Sequence, residues 1–129
     1  MKKILKSGFT LLELLIVIVI LGLLVSLVSF SVFPILNKAY SQTARIDITK
    51  IEQALDVYKL YHGNYPSEEE GILKLVESGY LDKIPKDPWG NEYFYKPPQN
   101  ASSYEVYSLG ADAKEGGDGE NADISNITK

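Results

Sequence analysis

The stretch from Phe9 to Phe33 decides most of what this chain can become. It is almost wholly aliphatic, interrupted only by Thr10, Glu13, Gly22, Ser26, Ser29 and Ser31. As a helix it would be roughly 37 Å long at ~1.5 Å per residue, enough to cross a hydrocarbon core of ~30 Å. Lys2, Lys3 and Lys6 precede it, so the positive-inside bias leaves the amino end in the cytoplasm and exports the rest. A removable secretory signal would have a shorter apolar core and a small-x-small cleavage site behind it. Here "SVFPILNKAY" follows, which offers no such site. A plain signal anchor accounts for the length but not for Glu13. An ionised residue well inside a membrane helix costs on the order of 2.5–3.5 kcal/mol, less near an interface. The acid therefore sits in the headgroup region or has a partner.

Beyond Asn37 the composition changes to polar, Tyr-rich and punctuated by Pro and Gly, so the exported part must build a small core around tyrosines and Trp89. The chain has no cysteine, which excludes disulfides, thiolate metal sites and cysteine nucleophiles. A small exported domain without disulfides often uses a metal as its staple. The net charge of −4, with no basic cluster after the leader, argues against nucleic acid as the main partner. His62 is the single histidine and no catalytic constellation accompanies it, so it reads as a surface or packing residue and the chain as no enzyme.

The pattern past Pro34 stays helical. Ala44, Ile48, Ile51, Leu55 and Tyr58 alternate at spacings of four and three, which places them on one face, while Lys38, Arg45, Lys50, Glu52 and Lys59 occupy the others. A stop is expected at His62-Gly63, where Gly takes a left-handed cap. The spacing predicts one long helix from 9 to about 62, with Gly22 and Pro34 as its soft points and bending or local melting between them when subunits pack. In the remainder, Ser67 and Glu70 form a capping box for a short helix whose apolar face is Ile72, Leu73 and Val76. "KDPWGNEY" reads as a turn, "EYFY" and "YEVYSL" as an antiparallel strand pair joined through Pro97-Pro98 and lying against the stem. Trp89 reads as a core anchor.

"KSGFTLLELL" resembles the type III signal of type IV pilins and of the pseudopilins of type II secretion: a basic leader ending in Gly, then Phe, then Glu at a fixed distance. The resemblance implies cleavage between Gly8 and Phe9 by a membrane-embedded prepilin peptidase, followed by N-methylation of Phe9. It also gives Glu13 an expected role. Cleavage creates an amine on Phe9, the helix amino end favours a nearby carboxylate, and the Glu13 carboxylate of one subunit would meet the Phe9 amine of a neighbour and set their axial register.

One further stretch, "SLGADAKEGGDGENADI", carries Asp112, Glu115, Asp118, Glu120 and Asp123 among four glycines and a single Lys. Calcium takes six to eight hard oxygens at about 2.3–2.6 Å, and glycines let a backbone wrap it. The spacing is not that of an EF-hand, and composition alone equally describes an acidic disordered loop. "DPWGNEYFY" followed by this stretch resembles the end of the major pseudopilin, whose loop binds structural calcium. That resemblance implies Asp112, Asp123 and the carbonyl of Leu109 as ligands, with Asp118 and Asn121 as candidates for the rest of the shell. Ala122-Asp123 stands where some relatives have two consecutive Asp residues. The chain also departs in its Pro, which those relatives carry at the place of Phe30, and in "DISNITK", which lacks a Trp frequent there.

The expected organisation is thus α+β and type IV pilin-like: a leader at 1–8, a membrane and filament-core helix at 9–33, an amphipathic stem at 34–62, and a globular head at 63–129 with a small antiparallel sheet and a calcium loop. The resemblance implies a subunit of a periplasmic pseudopilus, a helical homopolymer anchored in the inner membrane before assembly. Its implied partners are other copies of itself, minor pseudopilins, the prepilin peptidase, an inner-membrane assembly platform with its ATPase, and an outer-membrane secretin through which folded exoproteins leave. Two alternatives stay open at this level: a type IV pilin for adhesion, motility or DNA uptake, and a monomeric membrane-anchored calcium-binding module. Many of the first close the end of the head with a disulfide, which this chain lacks.

Overall fold

The computed structural model describes residues 2–3, 7–100 and 103–128; Lys6 of the leader lies outside the described residues. The elements run in the order α1 (Leu11–His62), α2 (Leu73–Glu77), β1 (Phe94–Lys96), β2 (Glu105–Ser108), a 3-10 turn (Gly119–Asn121) and β3 (Ile124–Ser125). The chain divides into two compact units, Met1–Leu36 and Asn37–Lys129, so the stem from Asn37 onward belongs to the same unit as the head.

In the first unit the described large apolar side chains between Phe9 and Leu36 are exposed. Fully burying one such side chain stabilises by roughly 1.5–3 kcal/mol, so this surface demands lipid or neighbouring helices. Two interior hydroxyls are satisfied locally: Ser26 Oγ donates to the Gly22 carbonyl at 2.9 Å and Ser29 Oγ to that of Val25 at 3.0 Å. Such back-bonding suits a serine that has no water to bond. The helix assignment continues through Gly22 and Pro34.

In the second unit, the face predicted from spacing is the one that is buried: Ala44, Ile48, Ile51, Leu55 and Tyr58 all lie in the core. The helix stops where Gly63 takes φ +84° and its N–H donates to the Lys59 carbonyl at 2.8 Å, an αL cap. The sheet that covers the stem has the order β1-β2-β3, all antiparallel, with Tyr95 opposite Val106 and Ser108 opposite Ile124. The third strand was not anticipated; it is two residues long and has no alternation to read. The core is rich in tyrosine, as expected, and the hydroxyls of three of its buried tyrosines find an acceptor. Tyr93 donates to Asp47 Oδ2 at 3.1 Å, Tyr95 to the Pro66 carbonyl at 2.9 Å and Tyr104 to Asp56 Oδ1 at 3.4 Å. Two of these bonds, from the residues just ahead of β1 and β2, tie the entry of each strand to the stem. A buried phenol without an acceptor would cost about 1–3 kcal/mol.

The short helix differs in detail from its expected form. Ser67 and Glu70 do make the reciprocal capping bonds, at 3.0 and 3.2 Å, but they close a turn. Gly71 sits at φ +56°, which interrupts the helix, and α2 begins only at Leu73. Leu75 is consequently its buried residue, with Ile72 buried just ahead of it, while Leu73 faces outward. Trp89 is partly buried against the core and meets Tyr40 edge-on at 5.9 Å. His62 stacks on Tyr58 at 4.2 Å and pairs with the Tyr80 hydroxyl at 3.4 Å, which is a packing role.

Candidate functional site

Two regions concentrate the residues singled out above. At the helix amino end, residues 7–10 lie outside the helix and are exposed, so the backbone at Gly8-Phe9 is open to approach. Leu14 N–H makes a helical bond to the Thr10 carbonyl at 3.2 Å. Thr10 N–H donates to Glu13 Oε2 at 2.9 Å, and Glu13 N–H donates to Thr10 Oγ1 at 3.2 Å. This is a complete capping box, satisfying two backbone donors that the helix start would leave orphaned. Glu13 thus caps its own helix in addition to its favourable place at the helix amino end, and "TLLE" displays the T-x-x-E spacing that signals the cap. The cap uses one carboxylate oxygen, and ionised carboxylates accept more than one bond. The cap is therefore compatible with a second partner.

The acidic stretch is an exposed loop between β2 and β3. Leu109 and Asn121 are half-buried at its ends, while Asp112, Asp118 and Asp123 are exposed. Asp112 Oδ1 accepts the Lys114 N–H at 3.1 Å, and Asp123 Oδ2 accepts the Gly116 N–H at 2.9 Å, so both carboxylates already organise the loop backbone. Asp118 precedes the 3-10 turn and accepts the Asn121 N–H on its main-chain carbonyl at 3.1 Å. Two glycines bring strands of the loop into contact that no larger residue would permit. A Cβ on Gly110 (φ +71°) would lie 2.8 Å from the Glu120 carbonyl oxygen and 2.9 Å from that of Ala122. A Cβ on Gly117 (φ +92°) would lie 2.5 Å from the Asn121 carbonyl oxygen.

Among the described residues no three acidic or histidine side chains stand together as a metal-holding group. The donor chemistry still fits a hard cation. The loop offers carboxylates and main-chain carbonyls, without sulfur or imidazole, and calcium accepts carbonyl and carboxylate oxygens in the same shell. A calcium ion here would be held by Asp112 and Asp123 together with carbonyls such as that of Leu109.

Underneath the loop, Asp87 is 4% exposed and its side chain accepts three hydrogen bonds, only part of which a local sequence signal announces. Its Oδ1 accepts the N–H groups of Trp89 at 3.1 Å and Asn91 at 2.8 Å, and its Oδ2 accepts the Ser108 hydroxyl at 2.7 Å. The Ser108 Oγ in turn accepts the Gly110 N–H at 3.2 Å. "DPWGN" carries an Asx-turn signal for the first part of this; the link to Ser108 arises only when the strands pair.

Known proteins match the chain over spans that include both regions. The family model for type II secretion system protein G matches residues 31–127, and the prokaryotic N-terminal methylation motif matches residues 5–29. The chain is 45% identical to type II secretion system core protein G of Vibrio cholerae, over 98% of this chain and 95% of that one. It is 44% identical to the protein of the same name from Pseudomonas aeruginosa, over 94% of each. A crystal structure of the major pseudopilin from the type 2 secretion system of enterohaemorrhagic Escherichia coli superposes with a TM-score of 0.61 at 30% identity, covering 71% of this chain and 90% of that one. With its pilin-like helix, its small antiparallel sheet and relatives matched along nearly its whole length, the chain belongs to the type II secretion system protein G family, whose members are structural pseudopilin subunits and not enzymes.

Proposed function

We propose that this chain is the repeating subunit of a periplasmic pseudopilus. It is stored in the inner membrane through the Phe9–Phe33 helix and extracted into a filament that moves folded exoproteins through an outer-membrane secretin. The observation that carries the reading is the exposed apolar segment from Phe9 to Leu36, helical from Leu11, joined to a head with a buried core of its own. Lipid satisfies that surface before assembly and neighbouring helices satisfy it afterwards. The methylation motif supports cutting at Gly8-Phe9 by a prepilin peptidase and methylation of Phe9. Removal of Lys2, Lys3 and Lys6 takes the formal charge from −4 to −7 and places an amine beside Glu13. In the assembled filament the Glu13 carboxylate engages the Phe9 amine of a neighbouring subunit. An ATPase-driven platform in the inner membrane adds subunits, and minor pseudopilins complete the structure.

Calcium in the loop between β2 and β3 has a structural part in this scheme: bound to Asp112, Asp123, the Leu109 carbonyl and oxygens of the Asp118–Asn121 segment, it would neutralise crowded carboxylates and stiffen the head. The donor set and the glycine-dependent closeness of the loop strands support it.

Mass spectrometry of the amino terminus from the native host tests the processing. N-methyl-Phe9 is expected, and an intact Met1 in the filament fraction would refute it. Deleting the gene and measuring exoprotein release tests the role: loss of release restored by the wild-type chain is expected, and unimpaired release would refute it.

A further inference from the structure

Asp87 belongs neither to the helix amino end nor to the acidic loop, yet it joins the loop to the stem. From the loop, Gly110 N–H donates to Ser108 Oγ, and Ser108, fully buried, donates to Asp87 Oδ2 at 2.7 Å. Asp87 Oδ1 then holds the N–H groups of Trp89 and Asn91, and its own N–H donates to the Asn91 carbonyl at 2.8 Å. Trp89 ends the path, its ring edge-on to Tyr40 on the stem at 5.9 Å. The loop end of the path is clamped as well, because Gly110 lies against the carbonyls of Glu120 and Ala122 and its neighbour Ala111 donates to Glu120 O at 2.9 Å. Gly110 therefore moves with the returning segment of the loop.

We propose that Asp87 and Ser108 form a buried latch that couples order in the acidic loop to the seating of Trp89 on the stem; calcium as the ligand that sets the latch rests on the calcium reading above. The physical basis is that hydrogen bonds in a low-dielectric chain reinforce one another, and that breaking one leaves a buried polar group unsatisfied. Taking away the Ser108 hydroxyl removes a donor to a buried carboxylate and the acceptor for Gly110 N–H together. Loop order and Trp89 seating then separate. The same latch would let a head that has acquired its cation after export differ at the stem from one that has not.

Two readouts on the full-length protein in detergent micelles test this. Lys114 is the lysine within the loop, so the rate of tryptic cleavage after it reports loop order; Trp89 is the single tryptophan, so its emission reports the stem contact. In the wild type, calcium is expected to slow the cleavage and shift the emission with one common midpoint. Ser108→Ala is expected to speed cleavage after Lys114 roughly fivefold or more without calcium, the low end of ordinary coupling between sites, and to abolish the calcium-induced emission change. Asp87→Asn should act in the same direction. Wild-type cleavage rates in both variants would overturn the latch, as would calcium binding seen by calorimetry without any change in Trp89 emission. Calorimetry that finds no calcium binding refutes the calcium reading, and the calcium-free cleavage rates alone then decide the latch. Where circular dichroism shows a variant unfolded, separate wild-type midpoints for the two readouts would overturn it.

Discussion

Replacing Glu13 by Gln separates two functions that one carboxylate serves in the proposed scheme. Glu13 Oε2 accepts the Thr10 N–H at 2.9 Å, and a Gln side chain keeps an acceptor oxygen in that position of a capping box. Glu13→Gln therefore retains the cap and loses the charge, whereas Glu13→Ala loses both. The lost cap is worth about 1 kcal/mol, acting at the end of a 52-residue helix, so it frays the first turn and leaves the head intact. Removing the charge makes membrane insertion easier by up to ~3 kcal/mol. Assembly moves the other way: stripping one partner from a desolvated ion pair costs about 3–5 kcal/mol, which is about two to three and a half orders of magnitude in each subunit contact. Both variants should thus insert and be processed, and both should fail to polymerise. The assay is recovery of sheared or cross-linked filaments together with exoprotein release in a strain lacking the wild-type gene. Filaments of normal yield from Glu13→Gln alongside failure of Glu13→Ala would show that the cap, not the charge, is what assembly requires, and would refute the intersubunit pairing.

Leu55 and Leu60 share a helix and differ in burial, at 0% and 79% exposed. Leu55→Ala should cost about 2–5 kcal/mol by leaving a cavity, whereas Leu60→Ala should change stability by less than about 0.5 kcal/mol; urea melts of the head followed by near-ultraviolet circular dichroism distinguish them. Burial pushes the pKa of the Tyr93 and Tyr104 phenols well above the ordinary tyrosine value of about 10, reinforced by Asp47 and Asp56 respectively, and pushes that of Tyr95 up to about 12. A raised phenol keeps its proton in the folded chain while the unfolded chain loses it, so stability is full below pH 10 and falls as pH rises above it. Phenolate absorbance of these three residues should consequently appear with unfolding and not ahead of it. Chelation should lower the head's melting temperature; for calcium at a hundred times its dissociation constant the loss is ~2.7 kcal/mol, or about 10–20 °C for a unit of this size. Gly117→Ala, which drives a Cβ into the Asn121 carbonyl, should abolish that response, and an unchanged melting curve on chelation would refute the site.

Local periodicity and chain chemistry made much of this protein legible before any fold was in view. Burial of Ala44, Ile48, Ile51, Leu55 and Tyr58 follows from a spacing of four and three, because a helix repeats every 3.6 residues whatever it packs on. The stop at Gly63 and the reciprocal bonds of Ser67 and Glu70 are equally local, as is the basic-Gly-Phe-Glu pattern at the amino end. The family of the chain was readable for the same reason: its signal is contiguous. Other features depend on residues that meet only after folding. Leu75 replaces Leu73 in the core because Gly71 adopts a left-handed conformation and delays α2. The two-residue β3 exists only as the partner of β2. The tyrosine bonds to Asp47 and Asp56 on the stem, and the Asp87–Ser108 bond beneath the acidic loop, join residues separated by 21 positions or more. No spacing rule encodes such pairs, since burial, and not sequence distance, decides which acceptor a phenol or hydroxyl must find.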